Sequence, residues 1–175
     1  EASSAFKKVT VLNPNSPEGY NNLGVALKNQ GKLNEALEAF NKTLSIKPDY
    51  ADAYNNMGNA LQEKGDTEGA IKSFEKVLSL RPNSAEVYNN IGEAFKKKGE
   101  HEKAVKAFKL ALSIKPDFAE AFYNLGGTLQ DLGKLKEALE AFNKSLSINA
   151  NYAETYNNIG IILKNQGKKE KAIEA

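Results

Sequence analysis

The chain has 175 residues, with 24 lysines and arginines against 22 acidic residues, so its net charge is only +2. This balance offers no strong attraction to nucleic acid, and no apolar run approaches the roughly 18 residues that cross a bilayer. The chain lacks cysteine and has a single histidine, His101, which removes the usual parts of thiolate metal sites and of serine–histidine catalysis. We therefore expect no catalytic residue, no metal, no cofactor, no nucleic acid partner and no membrane insertion.

One glycine recurs every 34 residues along the chain. Each time it follows an asparagine and an apolar residue, at Gly24, Gly58, Gly92, Gly126 and Gly160. A fixed period of this size indicates one supersecondary unit stacked on copies of itself. Such a stack presents the same surface repeatedly, which favours binding along a surface over chemistry at one point.

The period divides the chain into repeats, which we number so that the recurrent glycine is position 8. Residues 1–16 form a partial repeat that holds a second helix alone, and the complete repeats are 17–50, 51–84, 85–118 and 119–152. Residues 153–175 form a fifth, truncated repeat. We expect residues 1–175 to form a single array, since each repeat contacts only its neighbours in such a stack.

After the helix B of residues 1–16, each repeat predicts a helix A and a helix B. Helix A takes positions 1–14, and position 15 holds a glycine that suits the positive φ of a helix C-terminus, at Gly31, Gly65, Gly99, Gly133 and Gly167. Helix B ends before a proline at position 32, which Ala150 replaces in the fourth complete repeat. The next residue suits the cap of the following helix A, at Asp49, Asn83, Asp117 and Asn151.

The predicted core places a large side chain of helix B against a small residue of helix A. At about 100° per residue, positions 3, 4, 7, 8, 10, 11 and 14 share one face of helix A, and the polar positions 2, 5, 6, 9, 12 and 13 share the other. Position 24 of helix B is always phenylalanine, at Phe6, Phe40, Phe74, Phe108 and Phe142. A ring packed against the glycine of position 8 provides the interdigitation of a dense core.

These positions together resemble the tetratricopeptide repeat pattern: an aromatic residue at 4, glycine at 8 and 15, alanine at 20, phenylalanine at 24 and proline at 32. The resemblance covers the whole chain. It implies an all-α fold, namely a right-handed α-solenoid superhelix of antiparallel helix pairs. It also implies that the A helices line a concave groove that binds a peptide or a segment of a partner protein. For such a chain we expect a cytoplasmic location.

Asparagine occupies position 6 of every predicted A helix, at Asn22, Asn56, Asn90, Asn124 and Asn158. A side-chain amide offers both a donor and an acceptor, so this column predicts contacts to the backbone of an extended peptide. The column resembles the asparagine ladder in the superhelix of O-linked N-acetylglucosamine transferases. The alternative is that these amides tie neighbouring helices together.

Positions 5 and 9 extend the predicted peptide-binding surface. Position 5 adds predicted peptide contacts at Asn21, Asn55, Asn89, Tyr123 and Asn157. Position 9 varies among otherwise similar repeats, which predicts that groove specificity resides at Val25, Asn59, Glu93, Gly127 and Ile161. Tyr123 lies one turn before Gly127, where its ring would cover the space above the glycine or stack on a ligand. Sequence drift is the alternative at both positions.

Position 2 is acidic in every predicted A helix, at Glu18, Asp52, Glu86, Glu120 and Glu154. One interpretation is that these side chains complement the positive end of the helix dipole. The other is that they select a basic peptide. The pattern favours the first interpretation.

Three functions are consistent with these features. The first is a non-catalytic scaffold that binds an extended peptide or a partner protein in the groove. The second is the substrate-recruiting region of a larger enzyme, of the glycosyltransferase or sulfotransferase type, whose catalytic domain lies outside this chain. The third is a structural array that associates head to tail, because the chain begins and ends within a helix B and neither end carries a polar capping helix.

Overall fold

The computed structural model describes residues 2–165, apart from the side chains of residues 2–5 and 7. Every regular element in this range is an α-helix. The helices are α1 (Ala2–Leu12), α2 (Pro17–Lys28), α3 (Leu33–Ile46), α4 (Ala51–Lys64), α5 (Thr67–Leu80), α6 (Ala85–Lys97), α7 (His101–Ile114), α8 (Ala119–Asp131), α9 (Leu135–Ile148) and α10 (Ala153–Asn165). The predicted all-α fold is confirmed, with α2, α4, α6, α8 and α10 as the A helices.

The chain divides into two compact units, residues 1–83 and residues 84–175. In the first unit, α2 packs against α3 and α4 against α5, while α1 and α3 contact the helix that follows them. In the second unit, α6 packs against α7 and α8 against α9, and α10 packs against α9. Each unit is therefore a stack of antiparallel helix pairs, which is the solenoid arrangement that the repeat pattern predicts.

The turn between helices A and B depends on the glycine of position 15. Gly31, Gly65, Gly99 and Gly133 have φ values of 74°, 89°, 75° and 72°, a left-handed conformation that glycine adopts without strain. These turns confirm the prediction for four glycines, whereas Gly167 lies outside the described residues.

The predicted caps of the A helices are wrong. Each of α4, α6, α8 and α10 begins two residues after the polar residue that we expected to cap it, namely Asp49, Asn83, Asp117 or Asn151. The N-cap residues of α4 and α8 are instead Tyr50 and Phe118, and neither makes a side-chain capping bond. In α4, α6 and α8 the turn after helix B places the polar residue one position before the N-cap. A polar cap does form at α2, where Ser16 Oγ accepts a hydrogen bond from the Gly19 amide at 3.0 Å.

The contact between position 8 and position 24 is the centre of each helix pair. The rings of Phe40, Phe74, Phe108 and Phe142 are fully buried. A Cβ built on Gly24 would lie only 2.5 Å from a ring carbon of Phe40, and the corresponding distances at Gly58, Gly92 and Gly126 are 2.5, 2.5 and 2.7 Å. The predicted core is confirmed at these pairs, and it fixes which face of each A helix is left for solvent.

Candidate functional site

The asparagines of positions 5 and 6 bond to each other between neighbouring A helices. In the first unit, Asn56 Nδ2 donates to Asn21 Oδ1 at 3.1 Å. In the second unit, Asn124 Nδ2 donates to Asn89 Oδ1, also at 3.1 Å. Both bonds join position 6 of one repeat to position 5 of the repeat before it. These two pairs therefore tie neighbouring A helices together, as the alternative interpretation of the column predicts.

Burial separates the asparagines into two groups. Asn21 and Asn89 are only 8% and 1% exposed, so their amides lie between helices. The others remain accessible on the A-helix face. Asn22 and Asn157 are exposed, and Asn55, Asn56, Asn90, Asn124 and Asn158 are half-buried.

The residues of position 9 differ in both exposure and contacts. Ile161 is exposed, whereas Val25, Asn59, Glu93 and Gly127 are half-buried. Of these, Glu93 is held in place by two bonds, because its Oε1 accepts hydrogen bonds from Asn124 Nδ2 at 2.9 Å and from Asn89 Nδ2 at 3.4 Å. Glu93 thus places a negative charge directly on the asparagine pair of the second unit.

The acidic residue of position 2 has a regular cationic partner in two repeats. Arg81 contacts Asp52 at 2.6 Å, and Lys115 contacts Glu86 at 3.4 Å. Both cations occupy position 31, at the end of helix B of the same repeat. Both acids lie in the first turn of their helices, where we expected them to complement the helix dipole. The ion pairs with position 31 are a second role, which the sequence did not predict.

The fourth complete repeat lacks that cation, since its position 31 holds Asn149. Its position 2 residue, Glu120, instead accepts a hydrogen bond from Asn89 Nδ2 at 3.3 Å. One amide nitrogen therefore faces two carboxylates, those of Glu93 and Glu120. Burial raises the pKa of the Glu120 carboxyl above its ordinary value of 4.5, the Glu93 carboxylate raises it further, and the bond from Asn89 opposes the change.

Two tyrosines lie beside this pair of carboxylates. The ring of Tyr123 meets that of Tyr152 edge to face, with centroids 5.0 Å apart, and also lies 6.0 Å from the ring of Phe142. Burial raises the pKa of the Tyr152 hydroxyl, and the negative charge of Glu120 adds to the rise. We call Asn89, Glu93, Glu120, Tyr123, Asn124 and Tyr152 the acid–aromatic cluster.

Four of these six residues are among the site residues predicted from the sequence, whereas Glu120 and Tyr152 are not. A signal for Glu120 was present in the sequence, because the fourth complete repeat has Asn149 where the other complete repeats have a lysine or an arginine. Tyr152 carried no such signal, since its place beside Tyr123 depends on how the turn between α9 and α10 lies against α8. That the ring of Tyr123 covers Gly127 or stacks on a ligand stays a prediction.

Lysine at position 12 pairs with an acid at position 13 of the next repeat. Lys28 contacts Glu63 at 2.8 Å in the first unit, and Lys96 contacts Asp131 at 3.4 Å in the second. The ammonium of Lys96 also lies 3.0 Å from the place where a Cβ on Gly127 would stand. These cations are therefore already neutralised, in contrast to the carboxylates of the acid–aromatic cluster.

Within residues 2–165, acidic and histidine side chains do not come together in a group of three that would suit a metal ion. None of the helices in that range combines the length and the apolar character needed to cross a membrane.

The geometry agrees with what comparison with known structures shows. The crystal structure of MamA matches with a TM-score of 0.80 at 27% identity, over 87% of this chain and 89% of that one. YrrB, described as a TPR protein with an unusual peptide-binding site, matches with a TM-score of 0.76 at 26% identity, over 99% and 89%. The Pseudomonas aeruginosa protein PilF matches with a TM-score of 0.82 at 25% identity, over 90% and 72%. No curated protein matches the sequence significantly.

Models of the repeat family match along almost the whole chain. The TPR repeat model matches residues 26–65, 58–99 and 92–133. Two tetratricopeptide repeat models match residues 117–175 and 5–38. With the period, the helix pairs and the glycine–phenylalanine contacts, these matches establish that the chain belongs to the tetratricopeptide repeat family and has its all-α solenoid fold.

Proposed function

We propose that this chain is a non-catalytic scaffold whose A helices bind an extended segment of a partner protein, and that the segment carries a basic side chain. Membership of the tetratricopeptide repeat family supports an interaction role, as does the similarity to YrrB, whose description names a peptide-binding site. The basic side chain in the bound segment is inferred from the acid–aromatic cluster of the second unit.

The cluster holds two negative charges that share one amide donor. Like charges this close raise each other's free energy, and partial desolvation of the Glu120 carboxyl adds to the cost although the residue as a whole is exposed. In the preceding repeat, Lys115 pairs with Glu86, the acid that corresponds to Glu120. The fourth complete repeat has Asn149 in place of that lysine. A lysine or arginine of a bound segment would supply the missing charge. The neighbouring rings of Tyr123 and Tyr152 favour such a cation further, since aromatic faces attract it.

The asparagines of position 6 would hold the backbone of the same segment. Asn124 uses its Nδ2 within the repeat stack, which leaves its Oδ1 as an acceptor for a peptide N–H. Asn56 has the same arrangement in the first unit. Bonds to backbone groups do not distinguish one peptide sequence from another, so the acidic pair would provide the selectivity.

Nuclear magnetic resonance with short peptides tests this proposal. The probes are acetylated, amidated peptides of about five residues that alternate glycine with arginine or glycine with glutamate. We expect the arginine peptide to shift the side-chain amide signals of Asn89 and Asn124, since these amides bond to the two carboxylates. Glu93→Gln with Glu120→Gln should reduce the affinity about tenfold or more, because hydrogen bonds between charged groups are the stronger ones.

The matched control is Glu86→Gln, which removes an acid from the same position of the neighbouring repeat, where Lys115 already neutralises it. That variant should bind the arginine peptide as the native chain does. Acidification should imitate Glu120→Gln: the pKa of Glu120 is raised, so the carboxyl becomes protonated and binding weakens as the pH falls toward 4.5. Equal shifts with the glutamate peptide, or unchanged binding in the double variant, would refute the proposal.

A further inference from the structure

A groove of about 620 Å³ lies in the second unit, between α7 and α9 and over α8, and none of its lining residues belongs to the acid–aromatic cluster. We call it the outer groove. Its floor is apolar and consists of Phe122, Leu125, Leu129 and Ala141. Its volume is sufficient for several aliphatic side chains of a partner.

Four charged side chains border the outer groove, and their signs are separated along its length. Glu137 and Glu140 lie in the first half of α9, while Lys144 lies in its second half. Lys109 of α7 is at position 25 of its repeat, so it lies level with Lys144 at position 26. The groove thus has an acidic end and a basic end. All four side chains are exposed, and none forms an ion pair with another of the described residues.

The chemistry of the floor decides what shape of partner fits. An extended peptide laid over Phe122, Leu125 and Leu129 would leave its backbone N–H and C=O groups facing apolar carbon, which is costly. A helix satisfies those groups internally and presents only side chains. The groove extends on α9 from Glu137 to Ser147, which is about 15 Å at the helical rise and corresponds to about three turns of a docked helix.

We propose that the outer groove docks an amphipathic helix of a partner protein. The apolar stripe of that helix lies on the floor, its basic residues face Glu137 and Glu140, and its acidic residues face Lys109 and Lys144. This is the helix-in-groove mode of recognition, in which residues spaced by three, four and seven provide the anchors. The charge order along the groove then selects a helix of mixed charge over a wholly basic or wholly acidic one.

The first unit provides an internal comparison. At the positions that correspond to Glu137 and Glu140, α5 has Gly69 and Lys72, and α3 has Asn41 where α7 has Lys109. The separated charges are therefore a property of the second unit rather than of the repeat pattern. Variants of α5 accordingly serve as controls that change charge on an equivalent surface.

Three fluorescent helical peptides of about 14 residues test the proposal on the intact chain. All have the same leucine stripe, and they differ only in the flanking charges: basic at one end and acidic at the other, basic throughout, or acidic throughout. We expect the mixed peptide to bind about tenfold more tightly than the other two, measured by fluorescence anisotropy. A helix can bind in either direction, so one mixed peptide is sufficient.

Charge reversal identifies the surface. Glu137→Lys with Glu140→Lys makes the whole border basic, so the preference should change to the acidic peptide, whereas Lys109→Glu with Lys144→Glu should favour the basic one. The control, Lys72→Glu with Lys76→Glu on α5, should leave the preference for the mixed peptide intact. Circular dichroism verifies folding, which these exposed positions should not disturb. Equal binding of the three peptides, no binding, or a change of preference in the control would overturn the proposal.

Discussion

Phe108→Ala is expected to lower the free energy of unfolding of the second unit by about 3–5 kcal/mol, the largest effect of any single substitution that we propose. The ring is fully buried and lies in the core cluster with Ala104 and Leu125. It also covers Gly92, where an added Cβ would stand 2.5 Å from the ring. Removing the ring leaves a cavity bordered by the backbone of two helices. The surrounding structure therefore has little freedom to close this cavity.

Urea denaturation followed by circular dichroism measures the loss, and hydrogen exchange locates it, since energies in repeat stacks act mainly between neighbours. The control on the same helix is Leu110→Ala, because that leucine is 48% exposed. We expect the control to change stability by less than about 0.5 kcal/mol. Similar losses for the two variants would contradict the central role of the ring.

Two adjacent glycines on α8 should respond to alanine in opposite directions. A Cβ on Gly126 would lie 2.7 Å from two ring carbons of the buried Phe142, so Gly126→Ala forces the ring or the helix to move. We expect this overpacking to cost about 1–3 kcal/mol. A Cβ on Gly127 meets only the flexible end of Lys96, at 3.0 Å. Gly127→Ala should therefore gain up to about 1 kcal/mol from the better helix propensity of alanine.

The comparison needs no other control, because the two substitutions are identical and one residue apart. Thermal midpoints of the two variants and the native chain, measured side by side, give both signs. If Gly126→Ala is as stable as the native chain, Phe142 is free to move and the close helix contact is not what requires glycine at position 8. If Gly127→Ala is destabilised, the lysine above it is held more firmly than its exposure suggests.

The helices and their core were predictable because they depend on features internal to one repeat. Period and helical spacing place Gly92 on the same face as the other core positions, and its partner Phe108 follows 16 residues later in every repeat. A turn glycine such as Gly65 is equally local, since its positive φ is set by the end of its own helix.

The site was less predictable, because it depends on contacts between repeats. Asn124 bonds to Asn89, which is 35 residues away, rather than to its equivalent at 34. That offset of one position follows from how neighbouring A helices are displaced along each other, and periodicity in the sequence contains no information about it. The role of Glu120 has the same origin, since its partner is also Asn89. The helix caps failed for a more local reason, because each A helix begins two residues after the polar residue and not one.

The ion pairs Lys28–Glu63 and Lys96–Asp131 recur not with every repeat but with every second one. In the intervening repeat, position 12 is Gln62, and in the next it is Lys96 again. The shortest segment that contains both the lysine and its acidic partner is consequently a pair of repeats, about 68 residues long. Gene duplication or protein engineering that adds repeats in pairs would preserve every such bond, whereas a single extra copy of residues 17–50 would set Lys28 against Asn29, which cannot neutralise it. An array that keeps these ion pairs therefore grows by pairs of repeats, or by single copies of a repeat with glutamine at position 12 and an acid at position 13.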